Sequence, residues 1–185
     1  MEIKLTTNQV LKVLQILSWI IFIGVSIDAG GIIVNTIITL FFNPDGVKNY
    51  WEGADYLSSL YNFNSAHFTV ITIVMAIVAV LKAIMFYLIV QLFVEKKLNI
   101  SQPFSTELRS FIVKLAYLAL GIGLFSHCGS EFSMWLAQHG LPKADLQALR
   151  IGGADVWIFM AVILFVIAQI VKRGIEIQTE NDLTI

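Results

Sequence analysis

Charged residues are absent from long stretches of this chain, and the gaps define its elements. Fifteen uncharged residues separate Lys12 from Asp28, and sixteen more separate Asp28 from Asp45. From Tyr56 to Val94 one charge, Lys82, occurs in 39 residues. Lys114 and Glu131 enclose sixteen uncharged residues, and so do Asp155 and Lys172. A helix crosses about 30 Å of hydrocarbon with about 20 mostly apolar residues, so the pattern predicts spans near residues 13–41, 67–94, 108–130 and 152–171. Helices are the expected form, because the blocks are long and mostly free of proline and a bilayer demands internal pairing of every backbone polar group. The expected fold is all-α: a four-helix transmembrane bundle, one integral membrane domain over residues 1–185. The alternative is a soluble bundle buried throughout.

The connections carry their own signals. Asn43-Pro44-Asp45-Gly46 is a dense turn sequence that stops the first helix and opens a segment holding Tyr50, Trp51, Tyr56, Tyr61 and Phe63. Such rings favour the headgroup layer, so this segment is expected to lie along the outer interface as an aromatic belt, with a ligand-binding lid as the alternative. Between Glu131 and Gly152, Trp135, Leu136, Leu141, Leu146 and Leu149 alternate irregularly with Gln138, Lys143, Asp145 and Arg150. That pattern predicts a short interfacial helical hairpin broken at Gly140 and Pro142.

Composition agrees with a bilayer as solvent: 57% of residues are hydrophobic and 14% charged, where about 25% charged is usual for a soluble domain. The single cysteine, Cys128, excludes a disulfide within the chain. Twelve Lys and Arg against thirteen Asp and Glu give a net charge of -1, so there is no bulk basic field and no direct nucleic-acid binding is expected. Orientation follows from the distribution of Lys and Arg. The amino tail, second connection and carboxyl tail hold eight (Lys4, Lys12, Lys96, Lys97, Arg109, Lys114, Lys172, Arg173), and the first and third connections hold three (Lys48, Lys143, Arg150). Both termini are therefore expected in the cytoplasm, N-in and C-in. The first apolar run is too long for a cleavable signal and lacks an A-x-A cleavage site, so it is expected to stay in the membrane.

Ionisable groups inside spans are costly and raise a functional question. Counted from the cytoplasmic flanks at 1.5 Å per residue, Asp28 lies about 24 Å deep, Lys82 about 20 Å and Asp155 about 26 Å, so all three share a layer and can form a network. Gly24, Gly31 and Asn35 fall on the Asp28 face of the first helix. Lys114, Gly121 and Cys128 share a face of the third span, and Asp155, Val162 and Gln169 a face of the fourth. Two readings are open: structural polar glue between helices, or a path for ions or protons. Asp28-Ala29-Gly30-Gly31 is also a place where the first helix can loosen and expose carbonyls.

Other chemistry finds little support. His67, His127 and His139 lack metal-ligand spacing, Gly121-Ile122-Gly123 lacks the rest of a dinucleotide fingerprint, and neighbours in Ser126-His127-Cys128 point in different directions on a helix. No cofactor, metal or catalytic activity is expected.

On the cytoplasmic side, Pro103 ends any helical continuation of the second connection and Ser105 or Thr106 can cap the next helix. The carboxyl tail intersperses Ile175, Ile177, Leu183 and Ile185 with Glu176, Gln178, Glu180 and Asp182. It reads either as a solvated, frayed helix end or as a docking strand or helix for a cytoplasmic protein, with Glu176, Gln178, Glu180, Asp182 and Leu183 as candidate contacts.

The Pro103-Phe104 turn before Leu108-Arg109, the Gly153-Ala154-Asp155 entry to the last span, and the ending from Arg173 to Ile185 resemble the bacterial membrane proteins grouped as domain of unknown function 2975. The resemblance extends over nearly the whole chain, and the tail is its most specific part. It implies four transmembrane helices in the inner membrane and no established activity; no catalytic residues carry over. Members are often encoded beside a small helix-turn-helix regulator, which implies a sensory or regulatory pair. The long aromatic outer segment is not characteristic of the family and reads as this member's adaptation to its own partner or ligand. Two functions follow as expectations. One is a regulatory, sensory or partner-binding membrane anchor. The other is a proton- or ion-coupled transport component using Asp28, Lys82 and Asp155, which in so small a bundle requires a homo-oligomer.

Overall fold

The computed structural model describes residues 7–51, 53–95 and 104–182. Five α-helices account for most of them: α1 (Thr7–Phe41), α2 (Ala54–Phe63), α3 (Ser65–Val94), α4 (Thr106–Gln138) and α5 (Ala154–Asp182). All except α2 are long and apolar enough to cross a membrane. With 35, 30, 33 and 29 residues, they run about 43 to 53 Å, more than the hydrocarbon requires. The chain is therefore a multi-pass, all-α membrane protein, and four crossings return α5 to the side where α1 begins. That side, with Thr7, Val94, Thr106 and Asp182, is the tail end; the side carrying α2 is the cap end.

The long helices stand in a row. Within it, α1 packs on α3, α3 on α4 and α4 on α5. Among the described residues, no Cα of α1 comes within 8 Å of one in α4 or α5, and none of α3 within 8 Å of one in α5. Apolar side chains accordingly point outward, as a lipid solvent allows: Ile16, Ile20 and Ile27 on α1 and Phe159, Val166 and Ile170 on α5 are all exposed. In lipid, burying such groups against another helix gives no hydrophobic gain, so close approach of small residues has to hold the row. Gly123 supplies it between α4 and α5, where a Cβ would stand 3.0 Å from the Ile158 amide and 3.2 Å from the Ala154 carbonyl. Ala161 and Ala168 on α5 are fully buried. The Asp155, Val162 and Gln169 face expected to form a polar seam is instead exposed, because the alanine face lets α5 sit closer to α4.

The main core lies at the cap end. Phe41 ends α1 and Asn43 caps a 3-10 helix over Pro44–Asn49, its side chain accepting from the Asp45 amide at 3.0 Å. Tyr50 then turns inward, only 3% exposed. Its hydroxyl pairs with Thr36 at 2.6 Å, and its ring meets Phe68 edge-on, as does that of Tyr61. With Leu57 and Leu60 of α2, these rings form a plug over α1 and α3. The expected aromatic belt is thus divided: Trp51 and Phe63 face outward, while Tyr50 is buried and Tyr56 and Tyr61 pack against the core. A tyrosine can go inside once its hydroxyl has a partner, which Thr36 gives Tyr50.

Residues 131–152 do not form the expected helical hairpin. α4 runs on to Gln138, since Phe132, Ser133 and Leu136 give its last turns a packed face. It closes with Gly140 at φ +101°, the Leu141 amide donating back to the Leu136 carbonyl at 3.3 Å and His139 to the same oxygen at 3.0 Å. The chain then descends as an irregular strap over residues 141–153. Asp145 accepts from the Gln147 and Ala148 amides and starts one tight turn, and the Ile151 amide closes it on the Leu146 carbonyl at 3.0 Å. Leu149 and Ile151 are fully buried. Because α5 starts against Gly123, fifteen residues before the end of α4, the strap drops about 22 Å back along α4.

At the tail end, Ser105 caps α4 by accepting from the Leu108 amide at 3.1 Å. The Phe104 ring lies directly over Gly174 of α5, 2.6 Å from where a Cβ would be. Pro103 and the rest of residues 96–103 lie outside the described residues, as does Leu183.

Candidate functional site

The descent of the strap brings a third charged side chain to the two intramembrane ones. Asp28 of α1, Lys82 of α3 and Arg150 of the strap line one cavity of about 190 Å3, whose remaining walls are Val25, Ile32 and Ala79. A narrow hollow of about 20 Å3 shares Asp28, Ile32 and Arg150 and runs beneath Tyr50 and Trp51. Lys82 sits about 18 Å along α3 from its tail-end terminus at Val94.

Lys82 Nζ donates to the backbone carbonyl of Arg150 at 2.9 Å and lies 5.7 Å from the centre of the Trp157 ring on α5. The charges acting on it are Arg150, which repels, and Asp28, which attracts. Among the described residues, neither the Asp28 carboxylate nor the Arg150 guanidinium has a hydrogen bond or an ion pair. The cavity is thus lined by two cations and one anion, with the exposed Arg150 guanidinium free to take a ligand.

The carbonyl that holds Lys82 is aimed by an unusual backbone. Arg150 has φ +60°, the one non-glycine residue with positive φ among the described residues. It occupies the left-handed position that closes the strap's turn, where glycine is the ordinary occupant. Holding a side chain there costs about 1–2 kcal/mol, and glycines follow immediately at 152 and 153. Strain of this kind collects at functional positions.

Trp51 closes the hollow and explains one of the small residues. Its indole lies 2.7 Å from where a Cβ on Gly31 would be, and α1 passes through Gly30 and Gly31 without a break. The predicted loosening of the helix is absent; Gly31 makes room for the tryptophan. Gly24 has nothing within 4 Å of a Cβ and takes no part in packing. Asn35 donates to the Asn49 carbonyl at 3.1 Å and ties α1 to the 3-10 helix, away from the cavity. Buried Tyr50, outside the spans, has its hydroxyl pKa pushed up to about 12 by desolvation, offset in part by the Thr36 hydrogen bond.

Of the three charges expected in one layer, Asp28 and Lys82 therefore meet and Asp155 does not join them. Asp155 is exposed in the first turn of α5, where a carboxylate suits the positive end of the helix dipole. Arg150 takes the third place, though its sequence context assigns it to a surface loop. Among the described residues no group of three His, Cys, Asp or Glu is placed to hold a metal ion. His67 is packed against Phe63, Phe132 and Trp135, and Ser126 is buried while His127 and Cys128 are exposed.

The candidate docking residues lie on the tail-end projection of α5. Glu176 pairs with Arg173 at 2.9 Å and with Lys172 at 3.8 Å, and Glu180 is exposed one turn on. Gln178 is half-buried, and the helix continues to Asp182. A separate cleft of about 360 Å3 opens between α3 and α4 at this end, lined by Leu88, Gln91 and Leu92 of α3 and Ser110, Phe111 and Lys114 of α4.

A family model described as "Protein of unknown function (DUF2975)" matches residues 52–185. The match begins within the aromatic segment, so it is shorter than the nearly full-length resemblance expected; it takes in Lys82, Arg150 and Asp155, and α1 with Asp28 and Asn35 precedes it. No curated relative and no solved structure matches the chain. With well over half its length covered by that model, the chain belongs to the DUF2975 family of small bacterial multi-pass membrane proteins.

Proposed function

We propose that the protein is a sensory membrane protein: the cap-end cavity takes a small solute, and α5 carries its occupancy to a partner at the tail end. One observation carries the reading. The strained Arg150 carbonyl that holds Lys82 lies four residues before α5, and α5 is one unbroken rod of about 43 Å from that point to Asp182. Gly152 and Gly153, the latter at φ +76°, form the joint between them. A ligand that moves Arg150 moves the base of the rod, and Glu176, Glu180 and Asp182 move at its far end. The protein in this reading binds and does not catalyse.

The remaining parts follow from charge. Eight basic residues flank the tail end and three the cap end, which favours a cytoplasmic tail end in the inner membrane. A cytoplasmic regulator of the helix-turn-helix kind, implied by the family resemblance, is then the partner of the α5 projection. Exposed Gln169 inside the fourth span favours a homo-oligomer, since an amide facing hydrocarbon gains a partner when a second copy covers it.

The test needs no ligand. A fluorescent probe is placed at Glu180→Cys in a Cys128→Ser background, in lipid nanodiscs, and compared with the same protein carrying Lys82→Met. A change in probe emission or mobility in the folded variant supports coupling along α5. An identical signal in both refutes it.

A transport reading rests on the three ionisable groups that line one cavity. The open row encloses no path, so a path would need a second copy. Proton or solute flux in proteoliposomes that disappears in folded Asp28→Asn protein is the result that would favour it.

A further inference from the structure

The charge count of the cavity specifies its occupant. Asp28, Lys82 and Arg150 sum to one net positive charge; Asp28 and Lys82 are half-buried, and Arg150 is exposed, so a solute can reach its guanidinium. Lys82 already has the Arg150 carbonyl, the Trp157 face and the attraction of Asp28. Arg150 has no polar partner among the described residues. The unmet demand is thus a single negative charge opposite a guanidinium, whose planar fork pairs best with a carboxylate through two parallel hydrogen bonds. The other walls, Val25, Ile32 and Ala79, are aliphatic. A volume of about 190 Å3 is somewhat above that of an apolar cavity that holds benzene, about 150 Å3, so a short aliphatic chain fits. Asp28, which lines the same cavity, repels a second negative charge.

We infer that the cavity is a binding site for a short aliphatic monocarboxylate, held by Arg150 and screened against dianions by Asp28. This deepens the sensory reading and rests on the same cavity. The carboxylate lies against Arg150, its alkyl chain lies along Val25 and Ile32, and Lys82 fixes the strap on which Arg150 stands.

Titration calorimetry on the full chain in nanodiscs, with butyrate, succinate and butylamine as probes, tests it. Butyrate is expected to bind at least about tenfold more tightly than either of the others. Arg150→Gln is expected to abolish butyrate binding. Asp28→Asn is expected to tighten it and to admit succinate, a gain that a misfolded variant cannot produce. Butylamine binding as tightly as butyrate, succinate binding better than butyrate to the native protein, or no binding of any probe would each overturn the inference. So would butyrate binding that survives Arg150→Gln. The α5 probe experiment uses no ligand, so a change in its signal alongside failed butyrate binding would reject the ligand class and leave the sensory reading in place.

Discussion

Lys82 and Arg150 are joined across 68 positions of sequence by a single hydrogen bond from the Lys82 ammonium to the Arg150 carbonyl, 2.9 Å long. This bond fastens the strap to α3. Lys82→Met should lower stability by about 1.5–3 kcal/mol, the range for a hydrogen bond made by a charged group. The thermal midpoint in nanodiscs, followed by tryptophan fluorescence, measures it; an unchanged midpoint would mean that the strap is held by Leu149 and Ile151 alone.

Arg150 separates stability from function. Glycine at this position relieves the positive φ and removes the guanidinium, so Arg150→Gly should raise stability by up to about 1 kcal/mol. The same variant should lose butyrate binding. A substitution that stabilises while it silences marks a residue kept for its side chain; loss of stability would show that the arginine packs as well as binds.

Two glycines that both touch a neighbour should respond differently to alanine. At Gly123 the added Cβ meets the Ile158 amide at 3.0 Å and the Ala154 carbonyl at 3.2 Å, backbone atoms that cannot rotate away. Gly123→Ala should cost about 1–3 kcal/mol by overpacking. At Gly31 the obstacle is the far edge of the Trp51 indole, which is 60% exposed and free to swing. Gly31→Ala should be close to neutral, because the higher helix propensity of alanine, about 1 kcal/mol, offsets the move. Paired thermal midpoints check the contrast, and a shifted Trp51 emission should accompany the second variant.

Tyr50 makes the cap sensitive to alkali. Its pKa is about 12 in the folded protein, raised by burial from 10.0, so the folded state holds its proton more tightly than the unfolded state does. The resulting stability is complete below pH 10 and falls as pH rises through 12, by about 2–3 kcal/mol in all. Tyr50→Phe removes the titration. The difference in midpoint between native protein and Tyr50→Phe should therefore change between pH 9 and pH 12 and stay constant between pH 6 and pH 9. A constant difference over the whole range would mean that the hydroxyl is not buried.

Hydropathy made the membrane part of the fold legible. Gaps between charges found four spans, and two of them end where α1 and α3 end, at Phe41 and Val94. The same criterion cut α4 short at residue 130, because residues 131–138 are amphipathic and the charge gap had ended. A gap reports contact with lipid, and a helix can outlast that contact. Counting depth along the helices brought Asp28 and Lys82 together but chose Asp155 as their companion. Arg150 was illegible for two reasons. Its left-handed backbone is one that sequence assigns to glycine, and a polar strap descending about 22 Å beside a helix leaves no trace in hydropathy. Tyr50 was misplaced because its partner, Thr36, lies on another element.

The single-file order of the long helices also bears on how the protein is made. Every long helix packs on the one before it in the chain, and among the described residues no Cα atoms of non-neighbouring long helices approach within 8 Å. As a ribosome delivers each apolar segment to the bilayer, its docking surface is already there, and nothing placed earlier has to move. Assembly can then run as a sequence of neighbour additions, α3 on α1, α4 on α3 and α5 on α4. The exceptions are the contact of Lys82 with the Trp157 ring of α5 and its bond to Arg150, which reaches from the strap past α4 to α3. That bond can form only once residue 150 has been synthesised, so the charged cavity is among the last parts of the molecule to be completed.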